Sequence, residues 1–409
     1  MVEKRSAATI FVLITVLIDS IGFGIIIPIM PSLISELAHT DVSGAARYGG
    51  FLFAAYSVMQ FVFSPIVGGL SDQFGRRPIL LASLFGFGID YLFLVFAPTI
   101  TWLFIGRLIA GVMGASFTTA AAYMADISTP EKRAQNFGMI GAAFGLGFII
   151  GPIIGGIASD FGTRVPFIVS GVLTLCNFCY GYFVLPESLK PENRRKFDWK
   201  RANPVGALLN LRRFPMLIGL VSALFLVYIS NFSTQGTWSY FTKERFNWSN
   251  KEIGWSLTFI GFMIALVQGG LTRILIPKLG TKNSIYAGFT FSILGSFAYA
   301  FANQGWMMYA IMVPFSLGGL AGPAMQGIIS SQVPANEQGE LQGSLTSLNS
   351  VAAIIGPILM TSLFYKFTAK DAPIYFPGAS FMAAAILTAI SLLLIVRTLK
   401  KNPSHTAKT

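Results

Sequence analysis

The sequence is dominated by runs of twenty or more mostly apolar residues, joined by short polar turns. A helix needs about 20 such residues to cross a bilayer. Charged residues make up 11% of the chain and hydrophobic ones 54%, whereas a soluble domain carries about 25% charge. Such a chain would expose far too much apolar surface in water, and lipid is the solvent that fits. Twelve spans are predicted, at 8–36, 47–69, 77–97, 101–125, 135–159, 164–185, 214–240, 252–273, 282–302, 305–330, 340–365 and 374–397. The fold class is an all-α membrane protein of two pseudo-symmetric six-helix bundles.

The distribution of basic residues predicts how the spans are oriented. The net charge of +12 comes from Lys and Arg placed between apolar runs, a pattern of membrane topology rather than of nucleic-acid binding. One side collects 21 of the Lys and Arg residues, among them Lys4, Arg5, Arg76, Arg77, Lys132, Arg133, Arg273, Lys278, Lys282 and Arg397. The other side holds seven: Arg47, Arg164, Lys243, Arg245, Lys251, Lys366 and Lys370. The richer side is expected to be cytoplasmic, and an even span count puts both termini there. Lys4 and Arg5 precede an apolar run from Ala7 to about Leu37. That run is too long for a signal peptide and lacks a small-residue cleavage site, so it is expected to remain as the first span.

The long polar linker at 186–213 carries eight of the basic residues and is broken by Pro186, Pro191 and Pro204. It divides the chain into bundles at 1–185 and 214–409. Trp199 and its basic neighbours suggest a short amphipathic helix on the membrane surface. A shift of 205 superimposes Gly75 on Gly280, Gly114 on Gly319, Gly138 on Gly343, Gly151 on Gly356 and Pro152 on Pro357. One register shared by five such residues points to a duplicated unit, a known transporter plan with the solute site between the copies.

Asp19 in span 1, Asp90 in span 3 and Arg107 in span 4 are charges within apolar runs. Each costs about 2.5–3.5 kcal/mol at mid-bilayer on insertion scales. One reading is a proton-coupling site, in which a carboxyl balanced between burial and a nearby cation gains and loses a proton as its access alternates. The other is an ion pair that only fixes helices together.

Between spans 2 and 3, Gly69, Asp72, Gly75, Arg76 and Arg77 form a dense turn, with Asp126 at the end of span 4 as a candidate partner. A conformational latch is expected here, against the plainer reading of a basic inter-helix turn. Span 5 carries Gly145, Gly147, Gly151, Pro152, Gly155 and Gly156, expected to pack helices closely at the interface between halves. It lacks the preceding strand and the spacing of a dinucleotide fingerprint.

Gln60, Asn231, Gln235, Gln268, Gln326 and Asn349 lie within spans, near aromatics such as Tyr56, Phe225, Tyr228, Phe232 and Trp238. Together they are candidates to line a solute cavity. Individually each equally fits a helix–helix hydrogen bond. Cys176 and Cys179 read as small thiols packed in a helix, and no metal cluster is expected.

The stretch Gly69–Pro78 resembles the loop signature of the major facilitator superfamily, and Gly106-Arg107-Leu108 resembles its span 4 motif. Gly147–Gly156 is similar to the span 5 motif of its drug–proton antiporters. Asp19–Pro28, Asp90-Tyr91-Leu92, Pro323–Gly327 and Gln338–Gly343 resemble the tetracycline-efflux group. The resemblance implies the major facilitator fold, antiport acids at Asp19 and Asp90, the buried arginine at Arg107 and a gating loop at Gly69, Asp72, Arg76 and Arg77. It also implies residence in a bacterial inner membrane. Gram-negative tetracycline pumps carry a His in span 8 and an Asp in span 9, where this chain reads Ile264–Gln268 and Phe289–Ser292.

The function expected is proton-coupled export of a small amphipathic compound by alternating access, with small solute, protons and lipid as partners. The proton gradient serves as the drive, no cofactor is needed, and the chain is expected to act as a monomer. Transport of a natural metabolite or siderophore is the alternative, and a non-transporting membrane sensor another. No nucleophile–base constellation, metal cluster or phosphate loop suggests an enzyme or ATP drive.

Overall fold

The computed structural model describes residues 2–114, 116–199, 203, 205–206, 217–334 and 337–401. Among them every long element is a helix, and twelve are long and apolar enough to cross a membrane. In lipid no water satisfies the backbone, and a helix bonds its own N–H and C=O groups internally. Spans 1 to 6 are Ala8–Ala38, Val42–Phe74, Arg76–Phe96, Ile100–Ile127, Gln135–Phe161 and Val165–Val184. Spans 7 to 12 are Ile218–Phe246, Asn250–Leu279, Thr281–Phe301, Gly305–Ser331, Glu340–Thr368 and Ala379–Lys400. Most of the linker after Trp199, with Lys200, Arg201, Pro204, Arg212 and Arg213, lies outside the described residues, as does Lys408.

Helices overrun the apolar segments where a polar turn can stop them later. Span 2 is expected at 47–69 but runs over Val42–Phe74, taking in Arg47 and Asp72. It ends only where Gly75 adopts φ +105°, a backbone conformation that glycine reaches without a Cβ clash. The duplication is visible in the backbone. Gly280, 205 residues on, has φ +76°, and spans 3 and 9, which follow these two glycines, are each 21 residues long.

Two irregularities in the second copy depart from plain helices. Span 8 contains one π turn at Val267–Leu271, and span 10 a 3-10 turn at Leu317–Leu320. The second follows Pro314, whose missing N–H loosens the local ladder, and includes Gly318 and Gly319.

Contacts divide the chain into two compact units. Unit 1 comprises Met1–His39, Ala55–Pro204 and Ser249–Thr258, and unit 2 comprises Thr40–Ala54, Val205–Trp248 and Phe259–Thr409. The start of span 2 thus belongs to unit 2 and the start of span 8 to unit 1, at matching positions of the repeat. In unit 1 a core of Phe11, Val16, Leu80, Leu84, Tyr123, Met124 and Ile140 joins spans 1, 3, 4 and 5. In unit 2 Leu220, Leu224, Ile285, Phe289, Met325, Leu345 and Ile395 join spans 7, 9, 10, 11 and 12.

Candidate functional site

Span 3 delivers Asp90 and span 4 delivers Arg107 to one buried point in unit 1. The Arg107 NH2 group donates to Asp90 Oδ2 at 2.6 Å, with the side chains 7% and 2% exposed. Gly106 makes the approach possible, since a Cβ there would stand 2.8 Å from Asp90 Oδ1. The glycine just before the arginine is therefore a packing requirement of the pair. The pair is incompletely satisfied, because Asp90 Oδ1 and Arg107 Nε are buried with no hydrogen-bond partner among the described residues. A charge-assisted bond is short and strong. Yet a buried pair with unfilled valences is weak evidence for stability, since desolvation offsets much of the attraction.

Asp19 on span 1 is half-buried and makes no ion pair or hydrogen bond among the described residues. It belongs to the same electrostatic cluster, as the Tyr56 phenol feels the charges of Arg107, Asp19 and Asp90. Tyr91 feels the same three charges. Its hydroxyl fills the place a Cβ on Gly22 would occupy, so this glycine of span 1 exists to admit it. One helical turn past Asp19, the Phe23 ring lies 6.3 Å from Tyr56 and 5.8 Å from Phe148. Carboxylates, phenols and one guanidinium thus share a niche with an aromatic wall. Tyr91 appears in the sequence only as a neighbour of Asp90, because nothing in a run of apolar residues signals that its hydroxyl packs against Gly22 of span 1.

The glycines of span 5 are expected at the interface between halves, but most of them pack span 5 on span 1. A Cβ on Gly147 would press on Ser20, one on Gly151 on the Ile21 carbonyl and Gly24, and one on Gly155 on Ile25. Pro152 Cδ meets Gly24 in the same seam. Gly156 instead faces Asn250 and Lys251, at the start of span 8 within unit 1, and Gly145 faces open space. Small residues let backbones approach where lipid offers no hydrophobic drive to associate. The seam fixes span 1, and with it Asp19.

The loop between spans 2 and 3 is an ion-pair network around Arg76, which is 8% exposed. Its guanidinium meets Asp72 Oδ1 at 2.6 Å, Ser71 Oγ at 2.6 Å and Asp126 Oδ2 at 3.2 Å. Arg77 turns the other way, donating to the Tyr182 carbonyl at 2.6 Å and lying 5.8 Å from the Tyr182 ring centroid. The sequence pairing of Asp126 with this loop is what the structure builds. Glu187, which touches the same loop, is missed by sequence reasoning, since it stands far along the chain and no local pattern marks it.

The amides fall into two groups. Gln60 is held in unit 1, donating to the Gly114 carbonyl and the Tyr56 hydroxyl, each at 3.3 Å. In unit 2, Asn231 and Gln235 are exposed one turn apart on span 7, and Asn349 is exposed on span 11. Gln268 is exposed on the π turn and leans against Gly319, while Gln326 is half-buried on span 10. Ser292 of span 9 abuts Gly318 of that same span 10 turn. None of these five amide side chains makes a hydrogen bond among the described residues. The helix–helix hydrogen-bond reading therefore describes Gln60 and not the others. Of the aromatics, Phe232 and Trp238 are 6% and 3% exposed and belong to the core of unit 2 rather than to an open surface. Cys176 and Cys179 are free and exposed on span 6.

The profile of the Major Facilitator Superfamily matches residues 12–357 and 220–409. The class C tetracycline resistance protein of Escherichia coli is 39% identical over 361 residues, 88% of this chain and 90% of that protein. The class D protein of Salmonella ordonez is 34% identical over 390 residues, covering 94% and 96%. Among solved structures, a bacterial homologue of the human lysosomal transporter Spinster superposes with a TM-score of 0.80 at 14% identity, covering 98% of both chains.

Proposed function

Because this chain belongs to the Major Facilitator Superfamily and its tetracycline resistance group, we propose that it exports tetracycline-like drugs in exchange for protons. It is a transporter of a small molecule across a membrane rather than an enzyme. The carrying observation is the buried, half-satisfied Asp90–Arg107 pair standing in one cluster with Asp19, which has no bonding partner among the described residues.

The proposed chemistry is simple. A proton entering from outside is accepted by the Asp19–Asp90 cluster, and the loss of negative charge loosens the hold of Arg107 on Asp90. One proton moving down 100 mV supplies about 2.3 kcal/mol, enough to bias two facing states strongly. In unit 1 the solute contacts are assigned to the aromatic wall at Phe23 and Tyr56 and to Gln60, and in unit 2 to the amides of Asn231, Gln235, Gln268, Gln326 and Asn349. The loop around Arg76 acts as the latch that changes with the facing state. The basic-residue asymmetry supports termini in the cytoplasm of a bacterium, and no cofactor beyond the proton gradient and no second subunit is needed.

The test is drug accumulation in inside-out vesicles under an imposed pH gradient. Wild-type protein accumulates tetracycline, and Asp90→Asn abolishes gradient-driven accumulation while remaining folded. Full transport by both Asp19→Asn and Asp90→Asn removes the coupling assignment. Gradient-driven transport of a metabolite or siderophore with none of tetracycline removes the substrate assignment and keeps the coupling.

A further inference from the structure

Span 3 begins at a place that ought to be poorly capped. Its N-cap is Gly75, which has no side chain to offer the first amides of the helix, and Pro78 supplies no N–H. The exposed amides of a first helical turn require an acceptor. That acceptor comes from 110 residues downstream. Glu187 receives the Arg76 N–H on Oε1 at 2.9 Å and the Arg77 N–H on Oε2 at 3.2 Å. A carboxylate at this end of a helix is also favoured by the aligned peptide dipoles. The two residues fit each other, since a Cβ on Gly75 would collide with Glu187 Oε2.

The turn that carries Glu187 is itself fixed. Tyr123 of span 4 donates its hydroxyl to the Pro186 carbonyl at 2.8 Å, and Ser188 Oγ donates to Asp126 Oδ2 at 3.0 Å. The Leu189 N–H donates back to Glu187 Oε1 at 3.0 Å. A few residues on, the linker grips the other end of the loop. The Arg195 N–H donates to the Asp72 carbonyl at 3.1 Å, and the Phe197 N–H to Gln73 Oε1 at 3.0 Å. The Phe197 ring lies 2.8 Å from where a Cβ on Gly69 would stand. Among the described residues the second copy shows no such strap, for the Cβ position of Gly280 meets nothing within 4 Å and span 9 has no side-chain cap.

We propose that Glu187 is a positioning residue of the transport cycle: it caps span 3 and, with the strap at 194–197, holds Arg76 between Asp72 and Asp126. The strap ties the loop to the chain that leads on to the second bundle. This rests on the reading of that loop as the latch, although the cap itself is a matter of geometry.

The experiment compares Glu187→Ala, Glu187→Gln, Gly75→Ala, the Glu187→Ala/Gly75→Ala double variant and Gly280→Ala in proteoliposomes, with peptide-level hydrogen exchange over residues 75–79. Amide exchange there speeds up about fivefold in Glu187→Ala, the equilibrium factor of one lost cap. Glu187→Gln accepts only one of the two N–H groups and falls between. Turnover drops by about the same factor with KM changed less than about twofold, as expected when a gate rather than a solute contact is disturbed. Gly75→Ala mimics Glu187→Ala and the double variant loses little more, whereas Gly280→Ala leaves exchange over residues 75–79 unchanged. Unchanged exchange in Glu187→Ala overturns the cap. Faster exchange with wild-type turnover overturns the positioning role, as do losses that multiply in the double variant. If Glu187→Ala is not recovered folded, Glu187→Gln against wild type decides by the same two readouts. Wild-type protein that fails to transport under a pH gradient refutes the functional reading instead, and the exchange result still stands by itself.

Discussion

The Asp90–Arg107 pair allows role and stability to be separated. With side chains 2% and 7% exposed and a single 2.6 Å bond between them, neither charge has another partner that could hold it among the described residues. Removing one member leaves a buried charge uncompensated, which costs about 3–5 kcal/mol in buried pairs. Each group already has one unfilled hydrogen-bonding atom, so part of that penalty is present in the wild type. The lower end, about 3 kcal/mol, is the expected loss for Asp90→Asn or Arg107→Gln. The neutral double variant Asp90→Asn/Arg107→Gln removes both charges and keeps an amide–amide contact. It should return to within about 1 kcal/mol of wild type, giving a coupling energy of several kcal/mol in the cycle. Unfolding in mixed micelles measures all four proteins, and vesicle transport measures the same preparations. Stability is restored in the double variant while gradient-driven transport stays absent. A double variant that adds the two single losses would show that the groups do not act as a pair. One that transports at the wild-type rate would show that the charges merely fasten spans 3 and 4.

Other outcomes follow from particular contacts. Gly151→Leu places a side chain against the Ile21 carbonyl and the Gly24 backbone, so it should destabilise by about 1–3 kcal/mol; wild-type thermal stability would show that spans 1 and 5 are not closely seamed there. Asn349→Ala and Gln235→Ala remove exposed amides that make no hydrogen bond among the described residues and should leave stability within about 0.5 kcal/mol while raising the KM for drug several-fold. An unchanged KM in both would take them out of the solute path. Tyr299→Phe deletes a hydroxyl that is buried without a hydrogen-bond partner among the described residues, so stability should hold or rise by about 1 kcal/mol. A loss of that size in unfolding experiments would mean the hydroxyl is satisfied after all.

The twelve spans, the duplication and the intramembrane charges are legible in the sequence because each is a one-dimensional property. Hydrocarbon thickness sets the length of an apolar run. Gly75 and Gly280 announce the same turn twice, and a charge in such a run is conspicuous wherever it points. Helix boundaries were less legible, since Arg47 and Asp72 are polar yet remain helical until His39 and Gly75 turn the backbone.

Facing is what only the tertiary structure decided. In water the apolar stripe of a helix shows which side packs, but a helix surrounded by lipid is apolar on all sides and carries no such sign. The sequence therefore offered Asp19, Asp90 and Arg107 without showing which of them meet. Packing alone joined Asp90 to Arg107, left Asp19 without a bond among the described residues yet within the electrostatic reach of Tyr56, and turned the span 5 glycines mostly toward span 1. It also brought Glu187 back across 110 residues to the start of span 3, a meeting that no local pattern encodes because it depends on where a bundle returns its chain.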